Sequence, residues 1–326
     1  MKKKKVLIIG GAGFLGLNLA KKFLANKFDV DIIDNFQRGK VDSDYNSVTS
    51  SKNVRVFKID ISSKINKKIH NNYDYIYNLA AIVGVKNVLN SPFKVLLANV
   101  EIQKKSIEIA KKQKNLKKFV FTSTSEVYSG SLVNKLLKFP TEENNIIALH
   151  EFKNPRATYM ISKIYGEIMC HNSGLPFLIL RPHNIYGPRM GMAHVIPELI
   201  FKIYNNKKNF LKIKNGKHKR TFCYVEDAIS MIFKLSLNPK TNFKTYNLGN
   251  QSPEITMRSL AKIILSITNK QKKMKIISDE QLNDFSPKRR RPNTAALRKI
   301  INIKNTLPLY EGIKKTYEWY KKNSKL

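Results

Sequence analysis

Three glycines at regular spacing follow the first apolar run of the chain. The run Lys5–Gly10 has the composition of a buried strand, and the apolar residues of Phe14–Lys27 recur at helical spacing. Gly10, Gly13 and Gly16 lie at the junction. So tight a turn from strand to helix needs residues without a Cβ, and the helix N-terminus offers unpaired N–H groups to a pyrophosphate. The pattern predicts the first unit of a dinucleotide-binding fold.

Short apolar runs and helical segments continue to alternate up to about residue 180. Further strands are predicted at Val30–Asp34, Val54–Ile59, Tyr75–Leu79, Lys118–Thr122 and Phe177–Leu180, and further helices at Pro92–Lys112 and Thr158–Cys170. Alternation at this spacing is typical of the α/β class with a doubly wound parallel sheet. The segment 129–156 shows no clear periodicity and is long for a loop, which suggests either a functional lid or disorder.

After residue 181 prolines and glycines become frequent, and the pattern changes. Helices are predicted at Ile196–Tyr204, Val225–Leu237, Met257–Thr268 and Tyr310–Lys321, and short strands at Phe210–Ile213, Tyr246–Leu248 and Lys275–Ile277. We expect residues 1–180 to form a Rossmann-type dinucleotide-binding domain. Residues 181–326 would form mainly a smaller α/β lobe for the substrate, with segments near 220–250 returning to the first domain.

The chain is strongly basic. It contains 60 Lys and Arg against 23 Asp and Glu, a net charge of +37, which would suit a polyanion. The lysines are spread along the whole chain, however, and Lys, Asn and Ile recur almost everywhere. We therefore attribute the charge to drift in composition and expect no specific nucleic-acid partner.

Other features exclude several classes of protein. The two cysteines, Cys170 and Cys223, cannot form a disulfide framework or a CxxC zinc site, and the six histidines lack HExxH spacing, so no metal site is expected. A reducing, cytoplasmic location follows. The N-terminal lysines and the apolar run after them resemble a signal peptide, but the glycines favour a folded strand and helix. No stretch is long and apolar enough to predict a membrane span.

Asp34, at the end of the second predicted strand, indicates which dinucleotide binds. A carboxylate there can accept hydrogen bonds from the adenosine ribose hydroxyls and would repel a 2′-phosphate. This favours NAD over NADP, although Arg38 lies close by in the sequence and weakens the preference.

A candidate catalytic group lies further along the chain. Tyr159 and Lys163 are four residues apart on a predicted helix, which places them on one face. A cation beside the phenol, with a positively charged nicotinamide above it, favours the phenolate, which can take a proton from an alcohol as hydride leaves the same carbon. Thr124, just after a predicted strand, can hydrogen-bond the reacting oxygen.

Taken in order, these motifs resemble those of a known family. The glycine turn, the segment 78–81 (NLAA), the segment 123–128 (STSEVY) and the segment 159–163 (YMISK) are similar to the extended short-chain dehydrogenase/reductases. The segment 181–189 (RPHNIYGPR) resembles the R-x-x-N-x-Y-G-P-R signature of the NAD-dependent nucleotide-sugar epimerase/dehydratase branch. The resemblance runs from about Lys5 to Trp319.

The resemblance implies roles for particular residues. It implies a catalytic set of Thr124, Tyr159, Lys163 and Glu126. It implies that NAD contacts Gly10, Gly13, Phe14, Leu15, Gly16, Asp34, Asn35, Asp60, Ile61, Leu79, Ala80, Ala81 and Asn99, besides Tyr159 and Lys163. It implies that a nucleotide sugar, most simply a UDP-sugar, contacts Ser125, Asn184, Arg220 and Arg290.

The family shares oxidation at C4 of the sugar, and its branches differ in how the 4-keto intermediate reacts. We favour an epimerase, with a UDP-hexose 4-epimerase as the specific expectation. A UDP-glucuronate decarboxylase is the first alternative, because that branch also carries Thr-Ser-Glu, here residues 124–126, and Arg-Arg-x-Pro, here matched within 289–292. A 4,6-dehydratase would carry Asp where this chain has Ser125. A non-catalytic NAD-binding protein is the remaining alternative, against which the intact Thr124, Tyr159 and Lys163 argue.

The resemblance also implies a homodimer. In the family, the helix with Tyr-x-x-x-Lys and the helix before the fifth strand pair with their copies across a dimer interface. Apolar residues of these two helices either supply that contact or face the sheet; they are Val95, Leu96, Ile102, Ile107, Ile164 and Ile168.

Overall fold

The alternation predicted from the sequence is confirmed by the computed structural model, which describes residues 3–63, 69, 72–149, 151–280, 287–303 and 305–323. Its strands are β1 (Lys5–Ile9), β2 (Asp29–Asp34), β3 (Val54–Lys58), β4 (Tyr75–Asn78), β5 (Lys118–Thr122), β6 (Phe177–Pro182), β7 (Ile185–Tyr186), β8 (Phe210–Lys214), β9 (Lys219–Arg220), β10 (Cys223–Tyr224), β11 (Lys244–Leu248), β12 (Ile255–Thr256), β13 (Lys275–Asp279) and β14 (Arg289–Arg290). Its helices are α1 (Phe14–Ala25), α2 (Ser43–Thr49), α3 (Val85–Asn90), α4 (Pro92–Lys111), α5 (Ser129–Val133), α6 (Arg156–His171), α7 (Val195–Tyr204), α8 (Val225–Leu237), α9 (Met257–Ile267), α10 (Ala295–Ile300) and α11 (Leu309–Asn323).

The main sheet is parallel, with the strand order β11-β6-β5-β4-β1-β2-β3. The chain proceeds outward from β1 first in one direction and then in the other, so a crevice opens beyond the carboxyl ends of β1 and β4. The central strands β1, β5 and β6 are largely apolar because both faces of the sheet are covered. In β1, Val6 and Ile8 join the core on one face, and Leu7 and Ile9 join the core on the other.

Helices cover both faces of this sheet. On one face α4 packs along α6, and on the other α1 packs along α8. The contact between α6 and β5 is very close, because Gly166 presents no side chain to the ring of Phe121 beneath it. None of the described helices is both long enough and apolar enough to cross a bilayer.

The smaller lobe lies beyond the carboxyl ends of the strands. In it β7 pairs with β10, β9 lies between β12 and β14, and β8 pairs with β13, while α7, α9 and α11 pack on one another. The strand β11 pairs with β6 and belongs to the main sheet. The lobe is therefore built from two separate stretches of chain on either side of β11.

The segment 129–156, which shows no periodicity, begins with α5 and continues as irregular backbone tied to its surroundings. The Thr141 N–H donates to the Arg291 carbonyl at 2.8 Å, and the Asn293 N–H donates to the Thr141 carbonyl at 2.7 Å. The Glu143 carboxylate accepts from the backbone N–H of Asn247 at 2.8 Å. These contacts make its middle part a wall between the sheet and the lobe.

The close contact between α6 and β5 can be tested by Gly166→Ala. A Cβ at this position would lie 2.5 Å from the Phe121 ring. Overpacking of a core costs about 1–3 kcal/mol, which we expect to exceed the ~1 kcal/mol that alanine gains over glycine in a helix. Urea denaturation should show a lower free energy of unfolding, whereas Lys262→Ala on the exposed face of α9 should change it little. A stability equal to wild type in Gly166→Ala would contradict this packing.

Candidate active site

The glycine turn follows β1 and opens α1. Gly10 has a φ of +82°, and a Cβ there would lie 2.8 Å from the backbone nitrogen of Ala80. A Cβ on Gly16 would collide with the Gly10 carbonyl oxygen. Gly13 precedes the first helical residue and supplies no side-chain cap to α1. The first N–H groups of the helix are therefore open toward the crevice, where they can bind an anion.

Asp34 lies at the end of β2, facing the glycine turn. One of its carboxylate oxygens accepts from the Ala12 N–H at 3.0 Å, and the other accepts from the Phe36 N–H at 2.8 Å. Burial raises the pKa of the Asp34 carboxyl, and these two backbone donors partly offset the rise. Each oxygen can accept a second bond, so the carboxylate can also receive hydroxyl donors. Beside it, the Asn35 amide donates to Asp60 at 3.0 Å.

One cleft of about 700 Å³ joins the glycine turn to the lobe. Most of the residues singled out from the sequence line it: Gly10, Gly13, Phe14, Leu15, Gly16, Asp34, Asn35, Asp60, Ile61, Leu79, Ala80, Ala81, Thr124, Ser125, Glu126, Tyr159, Lys163, Asn184 and Arg290. The proposed cofactor residues and the proposed sugar-binding residues line this same cleft. The structure thus brings both groups into a single site.

Two of the singled-out residues lie outside the lining of this cleft. Asn99 is buried, and its amide exchanges two hydrogen bonds with the backbone of Ile82, at 2.7 and 3.1 Å. Asn99 thus holds a loop that lines the cleft, without lining it itself. Arg220 is also buried, and its guanidinium donates to the carbonyls of Lys219 and Pro287. Its positive charge helps to lower the pKa of the Glu126 carboxyl.

The catalytic candidates meet at the carboxyl end of β5. The Tyr159 phenol lies close enough to the Thr124 hydroxyl for the latter to lower its pKa, and both side chains line the cleft. The Lys163 ammonium, one turn further along α6, donates to the carbonyl of Thr122 at 2.8 Å and lies 4.8 Å from the centroid of the Phe121 ring. The helix therefore places phenol and ammonium on the face that looks onto the end of this strand.

The joint effect of Lys163 and a nicotinamide on the pKa of Tyr159 stays a prediction. Burial, and secondarily the negative charge of Glu126, raises the pKa of Tyr159 to about 12. Burial also lowers the pKa of Lys163 to about 8. The sequence spacing identifies the pair but not the carboxylate that the fold places near the phenol. At neutral pH the phenol is protonated and the lysine is charged.

That carboxylate is part of a charged cluster. Glu126 accepts a hydrogen bond from Arg290 and lies 3.6 Å from a guanidinium nitrogen of Arg156. Burial alone would raise the pKa of the Glu126 carboxyl, but the charges of Arg290, Arg156 and Arg220 outweigh it and lower the pKa. One carboxylate among three guanidinium groups leaves a surplus of positive charge, which favours an anionic ligand.

Two arginines that were not among the predicted site residues, Arg38 and Arg189, also line the cleft. Arg189 donates to Asp42 at 2.8 Å and to the carbonyl of Ala12 at 3.3 Å, so it ties the lobe to the glycine turn. Arg38 reaches toward Gly191 in the lobe, and a Cβ on that glycine would lie 3.4 Å from its guanidinium. Arg189 is the last residue of the 181–189 motif, so the sequence did contain a signal that it belongs to the site. Nothing near Arg38 in the sequence indicates that its side chain reaches the lobe.

Known proteins are similar to this chain over almost its whole length. A family model described as "NAD dependent epimerase/dehydratase family" matches residues 6–249. The UDP-N-acetyl-alpha-D-glucosaminuronate decarboxylase of Bacillus cytotoxicus is 30% identical over 329 residues, covering 98% of each chain.

Solved structures are similar too. The UDP-N-acetylglucosamine 4-epimerase of Methanobrevibacter ruminantium is 26% identical, with a TM-score of 0.82 over 99% of each chain. The UDP-glucuronic acid 4-epimerase of Bacillus cereus, solved with UDP-glucuronic acid and NAD, is 24% identical, with a TM-score of 0.83 over 98% of this chain and 99% of that one.

The residues present fit NAD as the cofactor. The glycine turn forms a cradle that a Cβ would fill, the start of α1 is open to a diphosphate, and Asp34 faces the same space. Bound there, NAD would extend along Leu79–Ala81 toward Tyr159, because these residues line one continuous cleft.

The cradle predicts the effect of Gly16→Ala. The added methyl group would overlap the Gly10 carbonyl, so the turn has to open and its N–H groups move away from the diphosphate. Isothermal titration should show NAD binding weakened by at least about tenfold, the equivalent of ~1.4 kcal/mol. The matched control Lys21→Ala, on the exposed face of α1, should bind NAD as wild type does. Unchanged affinity in Gly16→Ala would show that NAD does not rest on this turn.

Proposed function

Because the chain belongs to the NAD-dependent epimerase/dehydratase family, we propose that it oxidises C4 of a UDP-linked uronic acid and then releases the carboxyl group as CO₂. The observation that carries this proposal is the contact between Glu126 and Arg290, with Arg156 beside it. These residues line the same cleft as Thr124 and Tyr159. A surplus of guanidinium charge at this place suits a substrate whose sugar carries a carboxylate.

The first step uses residues at the end of β5. Thr124 and Tyr159 hold the C4 hydroxyl, and the phenolate form of Tyr159 accepts its proton. When bound, NAD supplies the hydride acceptor for C4 and a positive ring charge that lowers the pKa of a neighbouring phenol. Lys163, charged at neutral pH with its pKa of about 8, adds a second positive charge on the same face of α6.

The second step is the loss of CO₂. A 4-keto-uronic acid is a β-keto acid, so the electrons of the C5–carboxyl bond can pass into the C4 carbonyl. Tyr159, which now carries the proton, and Thr124 donate hydrogen bonds to the enolate oxygen as it forms. Arg290 and Arg156 orient the carboxylate, and C5 then takes up a proton from water. The hydride taken from C4 would return to that carbon as Tyr159 gives its proton back to the C4 oxygen, so that a UDP-pentose forms and the cofactor is restored.

A 4-epimerase is the second candidate. Thr124, Tyr159 and Lys163 suffice for oxidation and reduction at C4, and two solved 4-epimerases are similar over nearly the whole chain. The sequence alone favours this reaction. The arginine cluster around Glu126 and the similarity to a decarboxylase over 98% of each chain favour decarboxylation instead. A dehydratase would need an acid at position 125, where this chain has Ser125, so dehydration is not favoured.

Product analysis decides between the two reactions. The purified protein with NAD is incubated separately with UDP-glucuronate, UDP-N-acetylglucosaminuronate, UDP-glucose and UDP-N-acetylglucosamine. Mass spectrometry and NMR should show loss of CO₂ from one of the two uronic acids. An unchanged mass with inversion at C4 would favour the epimerase, and conversion of only the neutral sugars would refute a uronic acid substrate.

Arg290→Met should weaken recognition of the sugar carboxylate. With the guanidinium gone, kcat/KM for release of CO₂ from the uronic acid should fall by roughly 10- to 100-fold, since a hydrogen bond to a charged group contributes about 1.5–3 kcal/mol. The affinity for neutral UDP-sugars should change little. Arg258→Met, on the exposed face of α9 and outside the lining of the large cleft, is the matched control. A raised KM for every UDP-sugar with no change in product would place Arg290 on the diphosphate instead.

We also propose that the protein is a homodimer that pairs through α4 and α6. Of the residues expected at this contact, Val95, Ile102 and Ile107 are buried against the protein's own core, and Ile168 is 52% exposed. Other apolar side chains of the same helices are exposed too: Phe93, Leu97 and Tyr165. Such a patch is typical of a subunit interface. The two cysteines are buried and free, which supports a reducing compartment such as the cytoplasm.

Leu97→Glu tests the dimer. A charge in the centre of the patch cannot be buried without a partner, so light scattering after gel filtration should show a monomer where wild type is a dimer. Ile277→Glu replaces an equally exposed apolar residue of the lobe and should leave the dimer intact. A monomeric wild type, or a dimeric Leu97→Glu, would contradict this interface.

A further inference from the structure

A second, much smaller cavity of about 20 Å³ shares part of its lining with the catalytic cleft. Its lining is part polar and part apolar, and consists of Ser125, Tyr128, Ser129, Thr141, His183, Arg289, Arg290, Arg291, Leu132, Leu137, Phe139 and Pro287. Ser125 and Arg290 also line the large cleft. These two side chains therefore connect the small cavity with the catalytic cleft.

The amide of Asn247 determines the chemistry of this cavity. Its nitrogen donates to two backbone carbonyls, that of Thr141 at 2.9 Å and that of Asn293 at 3.3 Å. A carbonyl can only accept, so the orientation of the amide is fixed, and its oxygen faces the opposite way. That oxygen lies 2.9 Å from the Tyr128 hydroxyl and 3.1 Å from Nε2 of His183.

A buried ion pair fixes the Tyr128 hydroxyl in turn. Arg181 and Glu167 form a two-pronged ion pair with distances of 2.6 and 2.9 Å, and Arg181 also donates to the Tyr128 oxygen at 2.7 Å. Since that oxygen is used as an acceptor, the Tyr128 proton points to Asn247. Arg181 thus donates to Tyr128, and Tyr128 donates to the amide oxygen of Asn247, which can only accept.

His183 can therefore adopt only one neutral tautomer. Nε2 carries the proton that it donates to Asn247, and Nδ1 is left as a bare acceptor. Burial, together with the charges of Arg290 and Arg181, lowers the pKa of His183 to about 3, so the ring is neutral at neutral pH. The side chain is 2% exposed, and within the described part of the chain nothing donates to Nδ1.

We propose that Nδ1 of His183 accepts a hydrogen bond from a hydroxyl-sized donor in the small cavity, and that this contact positions the Ser125 side of the sugar site. A water molecule and a substrate hydroxyl offer the same chemistry. The cavity suits one such group, since a single water needs roughly 10–15 Å³. A buried acceptor without a donor costs about 1–3 kcal/mol, so a hydroxyl or water that donates to Nδ1 is stabilised in the cavity. The role toward the sugar rests on the proposed function, whereas the occupied cavity does not.

The tautomer and the occupant are tested without any assay of activity. Nitrogen-15 NMR of the folded protein should show a pyrrole-type Nε2 and a pyridine-type Nδ1, and a crystal structure at high resolution should show a water oxygen within hydrogen-bond distance of Nδ1. A protonated Nδ1, or an Nδ1 with no donor both in the free protein and with substrate, would overturn the proposal. Failure of the proposed reaction would leave both of these results unchanged.

His183→Gln distinguishes the two sources of the donor. Glutamine can keep an N–H donor to Asn247 while removing the acceptor at the Nδ1 position, and thermal unfolding shows whether the fold is kept. For a bound water, we expect kcat/KM to fall about tenfold for every substrate. For a substrate hydroxyl, the loss should disappear with the one deoxy-sugar analogue that lacks this hydroxyl. Wild-type kcat and KM in the folded variant, with every substrate, would refute a positioning role.

Discussion

The attachment of α6 to the end of β5 is the constraint on which the active site depends. Three contacts in succession hold the helix there: the Lys163 ammonium on the Thr122 carbonyl at 2.8 Å, the bare backbone of Gly166 on the Phe121 ring, and Glu167, which accepts from the Ser123 hydroxyl at 2.5 Å. Each pins a different residue of the strand. Together they fix the rotation and height of the helix, so that the Tyr159 phenol meets Thr124.

Electrostatics then divide the cleft into parts with different tasks. The start of α1 and the surplus of arginines around Glu126 both attract anions. We propose a diphosphate at the first and an acidic sugar at the second. Between them lies the Tyr159 phenol, whose pKa burial and Glu126 raise to about 12 against the lowering effect of Arg38 and Arg290. The hydrogen-bond network from Glu167 through Arg181, Tyr128 and Asn247 to His183 fixes the orientation of these side chains.

Local patterns predicted what depends on neighbours in sequence. The glycine turn, the strand and helix alternation and the Tyr159–Lys163 spacing are of this kind, since a short segment determines its own turn, period or helix face. Contacts between residues that are distant in the sequence could not be predicted from it. Nothing near Asn99 shows that its amide is used on Ile82, and nothing near His183 points to Asn247, which lies 64 residues away. The burial of Tyr159 and the nearby Glu126 carboxylate, which raise the pKa of the phenol, likewise depend on distant parts of the chain.

The central claim is that Tyr159 removes the proton of the sugar hydroxyl while C4 is oxidised. Its most direct test is a single turnover in which enzyme preloaded with NAD is mixed with the nucleotide sugar that it converts, and the absorbance of reduced nicotinamide is followed. Wild type should show a rapid rise. Tyr159→Phe, with NAD affinity and thermal stability close to wild type, should be slower by at least about 100-fold, the lower range for a positioned base. A rise as fast as that of wild type would contradict the account.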